Sequence, residues 1–208
     1  MEIRAARATD AGDIAVLMYS AGPEVYDYLY RTRRHTAQDF IAFEFRSGRG
    51  FCGHPQVTVA VDQGRVVGTA CLVAADTYDR LVKGTVANLF RFFGPLQVWP
   101  VLLRSNHIGS IMRKPEPGEL YLSNFGVDPA LRGTGIGTRL LEHGLAQARR
   151  MGCRTFGLDV ADNNPRAQHL YTRIGLRVVE EKTFTGHRAG ITVPRARKME
   201  APVHGLPA

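Results

Sequence analysis

Apolar residues in the first third of the chain follow helical spacing and then strand-like alternation. Asp10 stands where a helix N-cap is expected, and Ile14 and Leu17 after it are spaced for one face of a helix. Residues 56–74 contain two β-branched runs on either side of Asp62-Gln63-Gly64-Arg65, a sequence typical of a hairpin turn. The pattern therefore predicts a first helix after Asp10 and a β-hairpin over 56–74.

The stretch from Thr77 to Gly118 interrupts the strands with bulky residues at helical spacing. It carries six basic residues against two acidic ones and ends in Pro115-Glu116-Pro117-Gly118, which has the composition of a turn. We interpret 77–118 as an insertion of two helices, joined at Gly94-Pro95, between two strands.

The second half of the chain alternates between strand and helix patterns. The predicted elements are a strand over Glu119–Val127, a helix over Gly135–Met151, a strand over Thr155–Val160, a helix over Asn164–Ile174 and a strand over Leu176–Phe184. This order predicts an α/β fold with parallel pairing of at least the first two of these strands. We expect a single domain over 1–208, with a loosely held tail at about 199–208.

Composition narrows the class of protein. Hydrophobic residues make up 44% and charged residues 22% of the 208 residues, as in an ordinary folded globular chain. Three widely spaced cysteines and a charged N-terminus favour the cytoplasm, without a disulfide framework, a zinc site or a signal peptide. The longest uncharged run, Phe92–Leu103, is too short to span a membrane. The net charge of +8 favours an anionic partner.

The most informative motif is a glycine-rich turn between the strand over 119–127 and the helix after it. Gly133, Gly135 and Gly137 leave backbone N–H groups uncovered at a helix N-terminus, and Arg132 adds a cation beside them, so the turn favours a bound phosphate. A dinucleotide-binding motif is excluded because Thr138 replaces its third glycine, and a P-loop is excluded because no Gly-Lys-Ser/Thr follows. The alternative is a helix start that merely needs glycines.

At these residues the sequence resembles the GCN5-related N-acetyltransferases, the GNAT superfamily. Arg132-Gly133-Thr134-Gly135-Ile136-Gly137 matches the family's Arg/Gln-x-x-Gly-x-Gly/Ala signature for the pyrophosphate of acetyl-CoA. The segment from Asn164 to Leu176 is similar to the family's Asn-x-x-Ala-x-x-x-Tyr-x-x-x-Gly-Phe pattern and departs from it only at Leu176. The resemblance is strong over 119–185, whereas the insertion at 77–118 is longer than the family's usual link.

The resemblance implies both a fold and a cofactor. The fold would be a mostly antiparallel central sheet flanked by helices, in which the strands over 119–127 and 155–160 are parallel and splay apart. Acetyl-CoA would lie in the opening as the co-substrate, and no metal would take part. The residues that would bind it are Phe125, Gly126, Val127, Arg132, Gly133, Thr134, Gly135, Ile136, Gly137, Thr138, Asn164 and Tyr171.

The resemblance also implies direct attack of a primary amine on the thioester in a ternary complex. The N–H of Val127 would polarise the thioester carbonyl, and Tyr171 would protonate the departing thiolate. The alternative for Tyr171 is a core position with a locally satisfied hydroxyl. Because no acid stands in mid-strand, Glu119 is the candidate base, acting through a water, and its alternative is a solvated carboxylate.

In such an enzyme the segment after the first helix would line the acceptor pocket. A cationic amine could be bound there by the charges of Glu24 and Asp27 and by the ring face of Tyr26. Alternatively, these three residues could belong to a short helix capped by acids. The amine could belong to a small molecule, a peptide or a protein. Four aromatic residues of the insertion are expected to be exposed, where they would suit a homodimer contact or an acceptor lid: Phe90, Phe92, Phe93 and Trp99.

Two other functions are alternatives to this one. A CoA-binding sensor would keep the fold and the cofactor without the reaction. A binding protein for nucleic acid or an anionic membrane surface would use the basic segments, but the charge is spread along the chain and no helix-turn-helix or RNA-binding aromatic signature accompanies it. We therefore expect an enzyme with no nucleic-acid partner.

Overall fold

A computed structural model describes residues 1–205 of the chain. Seven strands in this part form one sheet in the order β1-β2-β3-β4-β5-β7-β6. Every pair of neighbouring strands is antiparallel except β4 and β5, which are parallel. The strands are β1 (Glu2–Ala5), β2 (Val57–Asp62), β3 (Arg65–Ala74), β4 (Glu119–Val127), β5 (Thr155–Ala161), β6 (Arg177–Lys182) and β7 (Ala196–Pro202).

Seven α-helices flank or extend this sheet in the described residues. They are α1 (Ala11–Tyr19), α2 (Pro23–Tyr30), α3 (Ala37–Ser47), α4 (Ala75–Gln97), α5 (Trp99–Ser105), α6 (Ile136–Arg150) and α7 (Pro165–Ile174). None of them is both long and apolar enough to cross a membrane. The mixed α/β architecture and the parallel β4–β5 pair confirm the predicted fold class.

Local sequence explains the hairpin and the start of α3. Gln63 and Gly64 have φ angles of 47° and 79°, the left-handed conformations of a two-residue hairpin turn, so β2 and β3 pair as predicted. Helix α3 was not predicted, although Thr36 and Asp39 form a capping box at its start. That Thr-x-x-Asp spacing was the signal that could have revealed α3.

The hydrophobic core lies on both faces of the sheet. On one face Leu140 and Leu145 of α6 pack with Leu120 and Phe156 from the strands, and all four are at most 1% exposed. On the other face α1 and α3 pack against β2 and β3. Complete burial of one such leucine contributes about 1.5–3 kcal/mol to stability. Parallel strands β4 and β5 are therefore held rigidly where they run side by side.

The insertion between β3 and β4 is helical, as predicted. Helix α4 is broken at Gly94, whose φ of 75° and ψ of 167° lie outside the helical region, immediately before Pro95. The expectation that Phe93 is exposed is wrong, because its side chain is 5% exposed and stacks with Phe40 of α3 at 5.6 Å between ring centroids. Phe92 is half-buried in the same cluster. The insertion thus forms a third apolar cluster with α2 and α3.

The expectation of a loose tail from about 199 is wrong for the described residues. Ala196–Pro202 forms β7, which pairs with β5 on one side and β6 on the other. Met199 is 1% exposed and belongs to the core that includes Phe156. Three of its seven residues are charged, so its hydrophobic pattern is weak, and backbone hydrogen bonds on both edges hold it in the sheet. Residues 206–208 of the predicted tail lie outside the described part.

Candidate functional site

Strands β4 and β5 separate towards their carboxyl ends. Their parallel pairing runs from Glu119 and Thr155 to Leu122 and Leu158, and no pairing of the two follows, although β4 continues to Val127. A cavity of about 540 Å³ occupies the opening. The backbone groups of β4 beyond Leu122 that would face β5 are therefore available to a ligand.

A bulge in β4 lies at the start of this opening. Opposite β3, Gly126 pairs with Thr69 and Ser123 with Cys71, so β4 carries one more residue than β3 between these pairs. Asn124 in the bulge has a φ of 49°, a left-handed conformation that asparagine tolerates better than most residues. The bulge turns the following residues of β4 relative to the part that pairs with β5.

The glycine-rich turn closes the cavity at the start of α6. Gly133 and Gly135 have φ values of 91° and 89°, and Gly135 is the N-cap of α6. The first N–H of the helix that donates to a backbone carbonyl is that of Arg139, to the Gly135 oxygen at 3.1 Å. A Cβ built on Gly137 would lie 3.3 Å from Leu170 of α7, so glycine allows the two helices to approach. The earlier N–H groups of α6 thus remain free for an anion.

Positive charge concentrates around this end of the cavity. Arg132, Arg166 and Arg173 all line it, and Arg173 Nη2 donates to Thr138 Oγ1 at 3.0 Å. Sequence reasoning missed Arg166 and Arg173, although both lie within the Asn164–Leu176 motif. Arginines beside free helix N–H groups suit a phosphate ester or pyrophosphate.

The predicted cofactor residues are brought together. Every one of them lines the cavity except Thr134, whose hydroxyl donates to the Leu131 carbonyl at 2.7 Å. Asn164 is also the N-cap of α7, since its Oδ1 accepts from the N–H of Ala167 at 3.1 Å. The two motifs, far apart in sequence, therefore form two sides of one cleft.

Tyr171 on α7 faces this cleft with its ring nearly buried. Its ring centroid lies 6.0 Å from that of Phe125 on β4, and its side chain reaches the cavity. Among residues 1–205 no side chain or carbonyl accepts from its hydroxyl, in contrast to the core alternative with a satisfied hydroxyl. Burial raises the pKa of the Tyr171 phenol above its usual value, so the hydroxyl keeps its proton at neutral pH.

Asp159 on β5 is a cleft residue that sequence reasoning missed. It is the one acidic residue among the described residues that line the cavity. Its Oδ1 lies 3.0 Å from Lys182 Nζ, and the Tyr121 hydroxyl donates to its Oδ2 at 2.8 Å. Burial raises the pKa of Tyr121 well above its usual value, so this phenol acts as a donor. The sequence contained one signal for this residue. Asp159 is an acid in the otherwise largely apolar strand pattern TFGLDV, next to a strand expected to diverge from it.

Glu119 is not among the described residues that line the cleft, so the structure does not support its interpretation as the base. It begins β4, six residues before Phe125, which places it about 20 Å along the strand. Its Oε2 accepts from the N–H of Glu116 at 2.8 Å, and Lys198 Nζ lies 3.8 Å from its Oε1. The side chain is 3% exposed, so the solvated alternative is wrong as well. Internal ion pairing explains its burial.

The predicted acceptor residues lie on helix α2, which agrees with their helical alternative. Of the three, Tyr26 reaches the cleft wall, because its hydroxyl donates to Asn124 Oδ1 at 2.5 Å. Asp27 pairs with Arg31 at 3.2 Å, and neither Asp27 nor Glu24 lines the cavity. Two small residues at the junction of α1 and α2 line it instead, namely Ser20 and Ala21.

Comparison with known proteins assigns the chain to a family. The model of the Acetyltransferase (GNAT) family matches residues 22–176, which include the cleft-forming strands and both motifs. The chain belongs to the GNAT acetyltransferase family. The family match agrees with the resemblance that the two motifs implied.

Curated relatives match only a segment of this GNAT protein. Mycothiol acetyltransferase of Geodermatophilus obscurus is 39% identical over 80 residues, which cover 38% of this chain and 23% of that protein. Thialysine N-epsilon-acetyltransferase of Sus scrofa is 37% identical over 62 residues, covering 30% of this chain and 36% of that protein. The chain thus spans less than two fifths of the length of these relatives.

Solved structures share the fold along nearly the whole chain. An N-acetyltransferase from Staphylococcus aureus Mu50 has a TM-score of 0.70 at 19% identity, covering 97% of this chain and 100% of that one. The structure of yncA from Salmonella typhimurium, described with its cofactor acetyl-CoA, has a TM-score of 0.56 at 19% identity, covering 100% of this chain and 96% of that one. At these identities the likeness supports the fold.

Proposed function

We propose that this GNAT protein transfers an acetyl group from acetyl-CoA to a primary amine by direct attack in a ternary complex. The observation that carries the proposal is the single cleft in which the unpaired edge of β4, the glycine-rich start of α6 and the Tyr171 hydroxyl meet. Acetyl-CoA supplies an activated thioester, so the chain itself needs to bind it, orient it and move protons. The reaction is proposed to occur in the cytoplasm.

The cleft has the donors that acetyl-CoA requires at its anionic part. The free N–H groups from Ile136 to Thr138 and the side chain of Arg132 would hold the pyrophosphate. Gly135 has no neighbouring atom within 4 Å of a Cβ built on it, so its surface is open for close approach. Arg166 and Arg173 would hold further phosphate charge beside it.

The unpaired edge of β4 would bind the pantetheine arm and orient the thioester. Backbone groups of Phe125 and Val127 would pair with its amides, in place of the β5 backbone that has diverged. The Val127 N–H would donate to the carbonyl oxygen on which negative charge develops during attack. Tyr171 would give its phenolic proton to the departing thiolate sulfur.

Asp159 is proposed to receive the acceptor amine. An ammonium group is attracted to a carboxylate, and Asp159 is the acid among the described cleft residues. Lys182 and the Tyr121 hydroxyl fix the orientation of this carboxylate, and it would take the proton that the amine must lose, directly or through a water. The acceptor is proposed to be a small-molecule or protein amine, and thialysine is a first compound to test because one relative is named for it.

A pair of glycine variants tests the binding part of the proposal. Gly135 and Gly190 both have positive φ, at 89° and 75°, and each has open space where a Cβ would lie. Gly135→Val and Gly190→Val should therefore cost similar backbone strain, but only the first places a side chain over the cleft. We expect acetyl-CoA to raise the Tm of wild type and Gly190→Val, and not that of Gly135→Val. Equal shifts in both variants would place the pyrophosphate elsewhere.

A thiol-release assay tests the reaction itself. Wild-type protein with acetyl-CoA and a panel of primary amines should release CoA thiol with one class of amine and form the corresponding acetyl amide. Tight acetyl-CoA binding without thiol release for any amine class would instead support the CoA-binding sensor. An equal Tm shift by ATP would indicate a general anion site.

A further inference from the structure

An exposed apolar surface lies on the insertion, outside the cleft. We call it the α4–α5 patch and define it by five side chains: Val86, Phe90, Leu96, Trp99 and Leu103. Leu96 is 87% exposed, Leu103 66% and Trp99 58%, although leucine and tryptophan are usually buried to a large extent. Large apolar side chains grouped on one surface mark a contact with a partner or a membrane.

The α4–α5 patch is held in place by the core beneath it. Val98 and Val101, which alternate with patch residues along the chain, are fully buried in the cluster that contains Phe40 and Phe93. The break in α4 at Gly94 and Pro95 lies directly before Leu96. The inner side chains therefore fix the direction of the outer ones, and the patch is a rigid surface.

Cations without acidic partners adjoin the patch. From Arg80 to Pro115 the sequence contains no Asp or Glu. Arg80, Lys83 and Arg91 are exposed on α4, the first two before Val86 in the sequence and the third directly after Phe90. Within residues 1–205 none of these three forms an ion pair. Their spacing places them on one face of the helix.

A contact between two aromatic rings connects the parts of the patch that lie on α4 and on α5. Phe90 of α4 lies edge-on to Trp99 of α5, with 6.2 Å between ring centroids. Along α4, Arg80 and Lys83 lie towards the start of the helix and Leu96 lies at its end. A ligand that covers the whole surface must offer negative charge and an apolar phase together.

The charge of the surface distinguishes among three kinds of binding partner: a second copy of the chain, a nucleic acid and an anionic bilayer. A two-fold dimer would place the same face of each copy against the other and would oppose six unpaired cations. A nucleic acid would match the cations but would leave Leu96 and Leu103 without an apolar partner. An anionic bilayer matches both, since its headgroups are negative and its acyl boundary takes up Trp and Leu side chains.

We propose that the α4–α5 patch docks this protein onto an anionic lipid surface. Leu96, Trp99 and Leu103 enter the boundary between headgroups and acyl chains, while Arg80, Lys83 and Arg91 lie against lipid phosphates. Helices α4 and α5 pack against α2 and α3, whereas the phosphate end of the cleft is built by α6 and α7. Docking therefore leaves acetyl-CoA access unobstructed, and the inference does not rest on the proposed function.

Vesicle binding by the full chain tests the inference. Phosphatidylcholine vesicles with phosphatidylglycerol should sediment at least roughly tenfold more protein than phosphatidylcholine vesicles alone, and high salt should reverse most of the difference. Trp99 is the single tryptophan of the chain, so its emission reports directly on the patch. Its emission should shift to shorter wavelength on the anionic vesicles.

Matched variants distinguish binding through the patch from nonspecific binding through other exposed apolar residues. The double variant Leu96→Ser and Leu103→Ser, and separately the triple variant Arg80→Gln, Lys83→Gln and Arg91→Gln, should each lose about tenfold in vesicle binding. The control is Val178→Ser with Val179→Ser, which removes two apolar side chains of 48% and 51% exposure on β6, and it should bind as wild type. All variants should keep the wild-type Tm shift with acetyl-CoA.

Several outcomes would overturn the inference. Equal binding to neutral and anionic vesicles, or vesicle binding with unchanged Trp99 emission, would exclude docking through this patch. Light scattering would assign the patch to a second copy of the chain if wild type has twice the monomer mass and the Leu96→Ser and Leu103→Ser variant has the monomer mass. Binding to duplex DNA as tight as to anionic vesicles, lost only in the charge variant, would assign it to nucleic acid.

Discussion

The phenol of Tyr171 combines burial, a raised pKa and a hydroxyl without a protein acceptor among residues 1–205. A buried phenol usually finds a hydrogen-bond partner inside the protein. Here the residue lines the cleft, where a ligand atom would be the partner of its hydroxyl. At the scale of single residues, this is the feature that distinguishes a proton donor from a core tyrosine.

Tyr171→Phe should lower kcat by about 10- to 1,000-fold, because the thiolate then leaves without a general acid. The affinity for acetyl-CoA, measured by titration, should change little, since the phosphate contacts are intact. Tyr78→Phe serves as the control, because Tyr78 lies beside Lys114 outside the cleft, and it should keep full kcat. Full activity of Tyr171→Phe would show that the residue is structural.

Asp159→Asn should lower kcat/KM by about 100- to 10,000-fold if the carboxylate receives the amine proton. It also leaves Lys182 buried without its counter-ion, which should cost about 3–5 kcal/mol of stability. The double variant Asp159→Asn with Lys182→Met should recover stability, measured by urea unfolding, and not activity. Recovery of both would mean that Asp159 acts only through the fold.

Glu119→Gln is the matched control for removing a buried carboxylate. It should lower the free energy of unfolding, because Lys198 loses a partner in the core. The folded variant should keep its kcat, because Glu119 lies about 20 Å along β4 from Phe125. A loss of kcat equal to that of Asp159→Asn would contradict the assignment of the acceptor carboxylate.

At the scale of elements, a buried carboxyl group joins helices α3 and α4. Glu44 is 1% exposed and accepts from the N–H of Cys52 at 3.2 Å and from Asn88 Nδ2 at 3.4 Å. Burial raises the pKa of Glu44 above its usual value, against the opposing effect of these donors. Among the described residues, the Oδ1 of Asn88 is buried without a hydrogen-bond partner.

The contact between α3 and α4 should make stability depend on pH. Because the pKa of Glu44 is raised in the folded state, its stability contribution is present below the unfolded pKa near 4.3 and decreases as pH rises through the folded pKa. Glu44→Gln should remove this decrease, which urea unfolding between about pH 4 and pH 8 would measure. A wild-type pH profile in the variant would show that Glu44 does not titrate in this range.

At the scale of the whole molecule, β7 decides whether the sheet is complete. It lies between β5 and β6, so the strand that bears Asp159 and the strand that bears Lys182 are joined through it. Met199 fills the core beneath this joint. The last described strand of the chain is therefore part of the structure that supports the cleft.

Truncation after Lys198 should abolish cooperative unfolding, because it removes Met199 and most of the β5–β7 ladder. Circular dichroism on heating would measure this loss, and acetyl-CoA should no longer raise the Tm. Glu200→Ala tests a milder change in the same strand, since it removes one ion pair with Lys198, and it should remain cooperative. A truncated protein with wild-type Tm would restore the expectation of a loose tail.

The sequence by itself determined the local parts of this protein. The glycine turn, the Asn164 cap and the apolar spacing of α6 each depend on residues within one or two helical turns, so they can be recognised without knowing the fold. The resemblance to GNAT enzymes rests on the same local motifs, and the family match confirms it. The position of β4 and its parallel pairing with β5 follow from alternation and element order.

Only the tertiary structure decided which distant residues meet. Asp159 contacts Lys182 and Tyr121, Glu119 lies beside Lys198, and Phe93 is buried because α3 packs on it. Strand β7 inserts between β5 and β6 through backbone hydrogen bonds, which are nearly independent of side-chain identity. Such pairings depend on contacts between segments far apart in sequence, and no local pattern encodes them.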